Sequence, residues 1–227
     1  MFQIDKPLHP WEVSTGEAIR IQERLRCLVE IENRFSTLRT IGGADVAYAK
    51  EEKRLSGGIA VLSLPELELL DWARAEGHIT FPYLPGLFSF REGPILLEAF
   101  KTLRVRPDLL LFEGHGIAHP RQFGLASHLG LWLDLPTIGC SRNSLLEDYE
   151  PPGPSKGDFS WVYLRGKRVG AVLRTREGTK PIFVSPGHRV DLETSVQIVL
   201  GVSPKYRIPE PLRKAHQVSR GGGSFNP

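Results

Sequence analysis

The chain has 227 residues, 41% hydrophobic and 24% charged, the balance of an ordinary soluble globular chain with room for a sizeable core. Its formal charge is only +3, which excludes bulk charge as a basis for nucleic-acid affinity and leaves that to a local basic patch. Two cysteines, Cys27 and Cys140, exclude a disulfide framework and a thiolate metal site and fit a reducing cytoplasm. The opening Met-Phe-Gln-Ile-Asp lacks a basic region followed by an apolar run, so no signal peptide is expected. No apolar stretch has the length of a membrane span, and there is no internal repeat. One domain is expected over residues 1–220, with a disordered tail over 221–227.

Ser14-Thr-Gly-Glu17 reads as a capping box. It opens a helix with Ile21, Leu25 and Leu28 on its apolar face and Arg20, Glu23 and Arg24 on the solvated one. A buried strand is predicted over 39–48 from its β-branched and small residues. Asp45 lies in the middle of it, where an unpaired carboxylate is expensive to bury. Asp45 is either an exposed edge-strand residue or a functional one, and its apolar neighbours favour function. Strands over 57–64 and 67–75 follow, joined at Pro65-Glu66 in a break short enough for a hairpin.

The chain is organised around residues 81–93, Phe-Pro-Tyr-Leu-Pro-Gly-Leu-Phe-Ser-Phe-Arg-Glu-Gly. Pro82 and Pro85 fix their own φ angles and push Phe81 and Leu84 toward extended conformations. Tyr83 sits between them with few ways to move, and Gly86 then releases the backbone. Tyr83 is either a packed core aromatic or a side chain held for recognition. After Gly93-Pro94 a helix is predicted, with Leu96, Ala99, Phe100 and Leu103 on one face and Glu92 near its start. Residues 107–112 form a short strand buried on both faces, the mark of a parallel sheet. Glu113 is the first residue beyond it, at the carboxyl end where sites in open α/β sheets lie.

A helix over 122–133 carries His128, which is either a hydrogen-bonded core histidine or a functional one. A strand over 136–141 leads to Arg142. Residues 149–158 form a loop. Strands over 160–165 and 168–174 bracket the hairpin signal Gly166-Lys167. A strand over 181–188 precedes a helix from Asp191 to Val199. A terminal basic helix follows Pro209-Glu-Pro211 and carries Arg213, Lys214 and His216.

Three antiparallel strands followed by helix, strand, helix, strand can set the fourth strand beside the first. Asp45, Glu92 and Glu113 then converge. Crowded carboxylates repel, and shared divalent cations are one way to stabilise them. Hard oxygen ligands favour Mg²⁺ or Mn²⁺ over zinc, and neither cysteine is expected among these acids. Two such ions about 3.5–4 Å apart activate a water and stabilise the leaving oxygen of a phosphodiester displacement.

Several blocks, in order, carry a resemblance. They are Gly43-Ala-Asp-Val, Phe81-Pro-Tyr-Leu-Pro-Gly-Leu with Phe-Arg-Glu-Gly-Pro94, Gly114-His-Gly-Ile-Ala-His-Pro-Arg121, Gly124-Leu-Ala-Ser-His-Leu-Gly130, Pro136-Thr-Ile-Gly139, Ile182-Phe-Val-Ser-Pro-Gly-His188 and Arg207-Ile-Pro-Glu-Pro211. The chain resembles endonuclease V, the family of deoxyinosine nucleases, over residues 11–216. The resemblance implies an α/β, ribonuclease-H-like mixed sheet, three antiparallel strands then parallel ones, flanked by helices with C-terminal elaborations. It implies a Mg²⁺-dependent endonuclease (Mn²⁺ possible) of deaminated-base repair. Such an enzyme hydrolyses the second phosphodiester 3′ to deoxyinosine and leaves 3′-hydroxyl and 5′-phosphate ends. A cytoplasmic monomer acting on DNA with a deaminated purine is expected. The alternatives are an inosine-binding member that cuts weakly, and one that acts on inosine RNA or branched DNA.

Asp45 and Glu92 match the family's first two metal-binding acids, and Glu113 stands at the third. Tyr83, between Pro82 and Pro85, matches a wedge tyrosine that enters the duplex at the lesion, in keeping with the way wedge side chains unstack bases. Gly114, Gly116 and the Ile138-Gly139 turn are small enough to let backbone groups approach a flipped base. Gly86 and His115 are counted with them as substrate-contacting positions. Hypoxanthine offers O6 and N7 acceptors and an N1–H donor, which main-chain groups can read. His216 matches a histidine near the metals, and His119, Arg121 and His128 match further motif positions. The chain departs from the family twice. Asp is usual where Glu113 stands, and Lys is usual where Arg142 follows the Ile-Gly turn. A displacement of about 1 Å can cost roughly a hundredfold in rate, and Arg for Lys exchanges a compact ammonium for a planar fork.

Overall fold

The computed structural model describes residues 7–49 and 53–222. Its strands are β1 (Thr40–Tyr48), β2 (Arg54–Ser63), β3 (Leu69–His78), β4 (Leu109–Glu113), β5 (Thr137–Ser141), β6 (Phe159–Leu164), β7 (Lys167–Leu173) and β8 (Ile182–His188). The helices are α1 (Thr15–Leu25), α2 (Phe88–Lys101), α3 (Leu125–Leu133), α4 (Leu192–Gly201) and α5 (Glu210–Ser219). One eight-stranded sheet runs in the order β3-β2-β1-β4-β5-β8-β7-β6. The first three strands are antiparallel, and β4 lies parallel beside β1, as expected. The parallel part is confined to β1, β4 and β5. The C-terminal elaboration extends the same sheet, with β8, β7 and β6 antiparallel along the β5 edge.

Side chains alternate along β4. Leu110 and Phe112 face α2 and α3, while Leu109 and Leu111 face α4 and α5. A continuous apolar run follows from being covered on both sides. On the second face α5 comes very close to the sheet. A Cβ at Gly43 would lie 2.2 Å from the Pro211 backbone, and one at Gly58 would lie 2.3 Å from the Ser219 nitrogen. Only glycine permits that approach, and it sets the end of α5 over Asp45.

The capping box of α1 forms as predicted, with Ser14 Oγ accepting from the Glu17 amide at 3.3 Å and Glu17 Oε2 accepting from the Ser14 amide at 2.9 Å. Leu28 does not share the apolar face. It is 56% exposed, because α1 ends at Leu25 and a 3₁₀ turn, Arg26–Leu28, rotates it outward. Helix α2 begins at Phe88, ahead of the predicted start, and Pro94 sits inside it. Proline forfeits one intrahelical bond, but burial of Phe90, Leu96, Leu97 and Phe100 holds the helix across it. Helix α3 starts at Leu125, later than expected, because Gln122 takes a positive φ of 55° and Gly124 is extended. Of the expected tail, Gly221 and Gly222 bond back to Val218 and Gln217 at 3.0 and 3.1 Å, and residues 223–227 lie outside the described residues. Among the described residues no helix is long and apolar enough to cross a membrane.

Candidate active site

Asp45 and Glu113 lie one step beyond Ala44 and Phe112, the last residues that β1 and β4 pair with each other. Glu113 is the final residue of β4 rather than the first beyond it. Glu92 comes from α2. These three acids line one cleft of about 330 Å³ with Tyr48, Arg142, His216 and Arg220. Asp45 and Glu92 are buried, at 7% and 9% exposure.

Each carboxylate has its own partner. Asp45 Oδ2 meets His216 Nδ1 at 2.9 Å and accepts from Ser219 Oγ at 3.0 Å. Glu92 Oε1 accepts from the Tyr48 hydroxyl at 2.6 Å. Glu113 Oε1 lies 3.3 Å from Arg142 Nε, so the two departures from the family pattern touch each other. Burial pushes the Glu92 carboxyl up to about 7; the Tyr48 hydroxyl opposes the rise and the Asp45 charge adds to it. Burial also raises Glu113, with Arg142 opposing and Asp45 reinforcing. Mutual repulsion in a desolvated site is thus built in.

Among the described residues no three His, Cys, Asp or Glu side chains are gathered into a ready-made metal-ligand group. The donor set around the cleft is nevertheless three carboxylates, all oxygen, which fits a hard divalent cation. Cys140 stands closer than expected, opposite Glu113 in the sheet register. Burial, then the Glu113 charge, pushes its thiol far above the usual range, so it offers no thiolate.

A second cavity of about 210 Å³ shares Glu92 and Glu113 with the cleft. Gly86, Gly114, His115 and His119 line it, as do Gln22 and Ser89. Gly116, Ile138 and Gly139 do not line either cavity. Ile138 is buried in the core. A Cβ at Gly116 would meet the Pro186 oxygen at 1.9 Å, and one at Gly139 would meet the Gly116 nitrogen at 2.5 Å. Close backbone packing already requires these glycines, whatever approaches them from outside.

Tyr83 is 62% exposed, with its ring edge-on to Phe88 at 4.9 Å, which excludes the core-aromatic alternative. Pro82 and Pro85 are exposed beside it, while Phe81 is buried. Gly86 takes a φ of 78°, a left-handed conformation that suits glycine. His119 donates from Nε2 to the Gly86 carbonyl at 3.0 Å and accepts the Arg121 amide on Nδ1 at 3.1 Å. Burial, with the nearby Arg121 charge, pulls its pKa down to about 3, so it is neutral.

His128 is fully buried and belongs to the core. It contacts His9 Nε2 at 2.6 Å and Ser89 Oγ at 2.9 Å. Trp132 donates to the same His9 nitrogen at 3.2 Å, so that nitrogen accepts and His128 Nε2 donates. Tyr48, Gln22, Ser89, Ser219 and Arg220 escaped the sequence reading. Tyr48 gave no signal beyond a strand-end aromatic. Ser219 lies three residues after His216, hence on the same helical face. Gln22 is a polar residue four positions from Ala18 within the buried stripe of α1.

The family model described as Endonuclease V matches residues 23–217. The chain belongs to the Endonuclease V family, and it is a nuclease. It is 47% identical over 204 residues to Endonuclease V of Dictyoglomus turgidum, covering 90% of this chain and 89% of that one. Endonuclease V of Streptomyces avermitilis superposes with a TM-score of 0.88 at 41% identity, covering 93% of each chain. Ciona intestinalis Endonuclease V, solved with a 23mer DNA containing an inosine followed by a ribo-adenosine, superposes with a TM-score of 0.79 at 29% identity, covering 92% of this chain and 98% of that one. The mixed sheet is therefore the family's ribonuclease-H-like fold.

Proposed function

We propose that the chain is a Mg²⁺-dependent endonuclease (Mn²⁺ substituting) that hydrolyses the second phosphodiester 3′ to deoxyinosine, leaving 3′-hydroxyl and 5′-phosphate ends. One observation carries this reading: the carboxylate cleft and the adjoining cavity share Glu92 and Glu113 as a common wall. A base held in the cavity would present its downstream backbone to the carboxylates. The inosine-containing DNA held by the Ciona relative supports the choice of lesion.

Asp45, Glu92 and Glu113 would hold the cation, whose bound chemistry is water activation and stabilisation of the leaving oxygen. His216 and Ser219 orient the Asp45 carboxylate, and Tyr48 orients that of Glu92. Arg142, half-exposed in the same cleft, pairs with Glu113 and adds positive charge where phosphate would lie. Tyr83 fills the stack that the base vacates.

A second reading is a member that binds the lesion but cuts slowly. The Glu113–Arg142 contact favours it, since that carboxylate is partly committed to a cation of the protein's own. Nicking of a labelled deoxyinosine duplex in Mg²⁺ or Mn²⁺, with unlabelled deoxyinosine duplex, undamaged duplex, inosine RNA and branched DNA of matched length as competitors, separates the readings. Inosine-dependent nicking that only deoxyinosine DNA suppresses supports the proposal. Indifference to inosine sinks it, and inosine-dependent binding without a nick moves the assignment to the second reading.

A further inference from the structure

The exposed arch of Pro82, Tyr83 and Pro85 stands on two pinned carbonyls. At its near foot, Arg91 Nη1 donates to the Phe81 carbonyl at 2.7 Å. At its far foot, the Gly86 carbonyl accepts from three donors: Gln22 Nε2 at 2.9 Å, His119 Nε2 at 3.0 Å and Arg121 Nη2 at 2.8 Å. Three donors on one carbonyl oxygen exceed its two lone-pair directions, an expensive concentration for a mere connecting loop.

Gln22 ties that foot together. Its side chain is 1% exposed, and its amide works in several directions. Nε2 donates to the Phe123 carbonyl at 3.0 Å as well as to Gly86, and Oε1 accepts from Arg121 Nε at 2.5 Å. One residue of α1 therefore joins the foot of the arch, the segment entering α3 and the guanidinium that also reaches Gly86. Gln22 itself lines the cavity beside Gly86 and His119.

We propose that Gln22 is a positioning residue for lesion recognition. It fixes the pitch of the arch so that Tyr83 is held beside the cavity before nucleic acid arrives. A loop ordered in advance does not lose that freedom on binding, and the saving appears as affinity for the lesion. The inference rests on the reading of Tyr83 as the wedge.

A double-mutant cycle tests it. In an Asp45→Ala background that prevents nicking, binding of a deoxyinosine duplex and of the matched undamaged duplex is measured for the background protein, Gln22→Leu, Tyr83→Ala and the pair. Gln22→Leu is expected to weaken lesion binding about tenfold, the scale of one lost buried hydrogen bond, and to leave undamaged-duplex binding unchanged. In the Tyr83→Ala background the Gln22 substitution should have no further effect. Penalties that multiply, or equal weakening on the undamaged duplex, overturn the inference and leave the wedge intact. A Tyr83→Ala protein that binds the lesion as well as its parent overturns the wedge reading and the inference together. If Gln22→Leu shows no cooperative thermal transition, Gln22→Glu carries the same cycle, because it keeps the acceptor for Arg121 while removing the amide donor.

Discussion

The carboxylate cleft and the Tyr83 arch adjoin the same cavity but are built on opposite principles. The cleft is made of ionisable side chains in conflict. Glu92 and Glu113 are pushed upward by burial and by Asp45, and each acid is held by a single neighbouring element. The arch is made of pre-satisfied contacts to backbone carbonyls: prolines in the loop, a neutral His119, the Gln22 amide and the guanidiniums of Arg91 and Arg121. A site that must accept a cation keeps unresolved negative charge. A site that must enter a base stack keeps its shape. Chemistry and recognition here draw on separate sources of stability, so mutations should separate them.

The largest separation is expected at Asp45. Asp45→Ala should reduce nicking by about a thousandfold or more, because several kcal/mol of charge stabilisation depend on the acid set. Lesion binding by gel shift should persist, and its loss in parallel would break the distinction. The converse substitution is Tyr83→Ala. Removing one stacking platform should lower the preference for deoxyinosine over undamaged duplex by about ten- to a hundredfold. Single-turnover nicking at saturating enzyme should fall much less, and an equal fall would place Tyr83 within the chemistry.

A smaller effect comes from Glu113 and Arg142. Because they touch, Glu113→Asp and Arg142→Lys should be non-additive in nicking rate by about 1 kcal/mol, on the scale usual for contacting pairs. Strict additivity would mean that the contact does not govern the acid's position. Mildest of all is a pH effect on stability. His119, His128 and His188 are buried and neutral, their pKa values lowered chiefly by desolvation, to about 3 for His119 and about 4 for His188. Below an unfolded histidine value near 6.5 the unfolded chain binds more protons than the folded one. The histidines should therefore lose stability as pH falls from about 6.5 toward 4, opposed in the same window by Glu92 and Glu113, whose raised pKa values make the folded chain bind more protons there. A urea midpoint that stays level between pH 7.5 and 5 in a Glu92→Gln, Glu113→Gln protein would contradict this.

Much of this architecture was legible because its signals are local. The capping box at Ser14 and Glu17, the two prolines around Tyr83 and the doubly apolar run of β4 each declare a conformation within a few residues. Asp45 stood out because its apolar neighbours made a carboxylate costly there. What escaped was decided at long range. Gln22 meets a carbonyl 64 residues away, Tyr48 an acid 44 residues away, and Ser219 an acid 174 residues away. No local pattern announces such partners. The start of α2 was misplaced because Pro94 is a strong breaker on its own, and only the packed face of Phe90 and Phe100 overrides it. Gly116 and Gly139 were recognised as sites of close approach, but what approaches them here is the protein's own backbone.

If the acid cleft cuts backbone downstream of a base held next door, the position of the nick relative to the lesion reports it. A 5′-labelled duplex with a single deoxyinosine is incubated with Mg²⁺ and the product is mapped at nucleotide resolution beside the Asp45→Ala protein. One nick is expected at the second phosphodiester 3′ to the lesion, bearing a 3′-hydroxyl and absent in the variant. A nick on the 5′ side, or one that persists without Asp45, would contradict it.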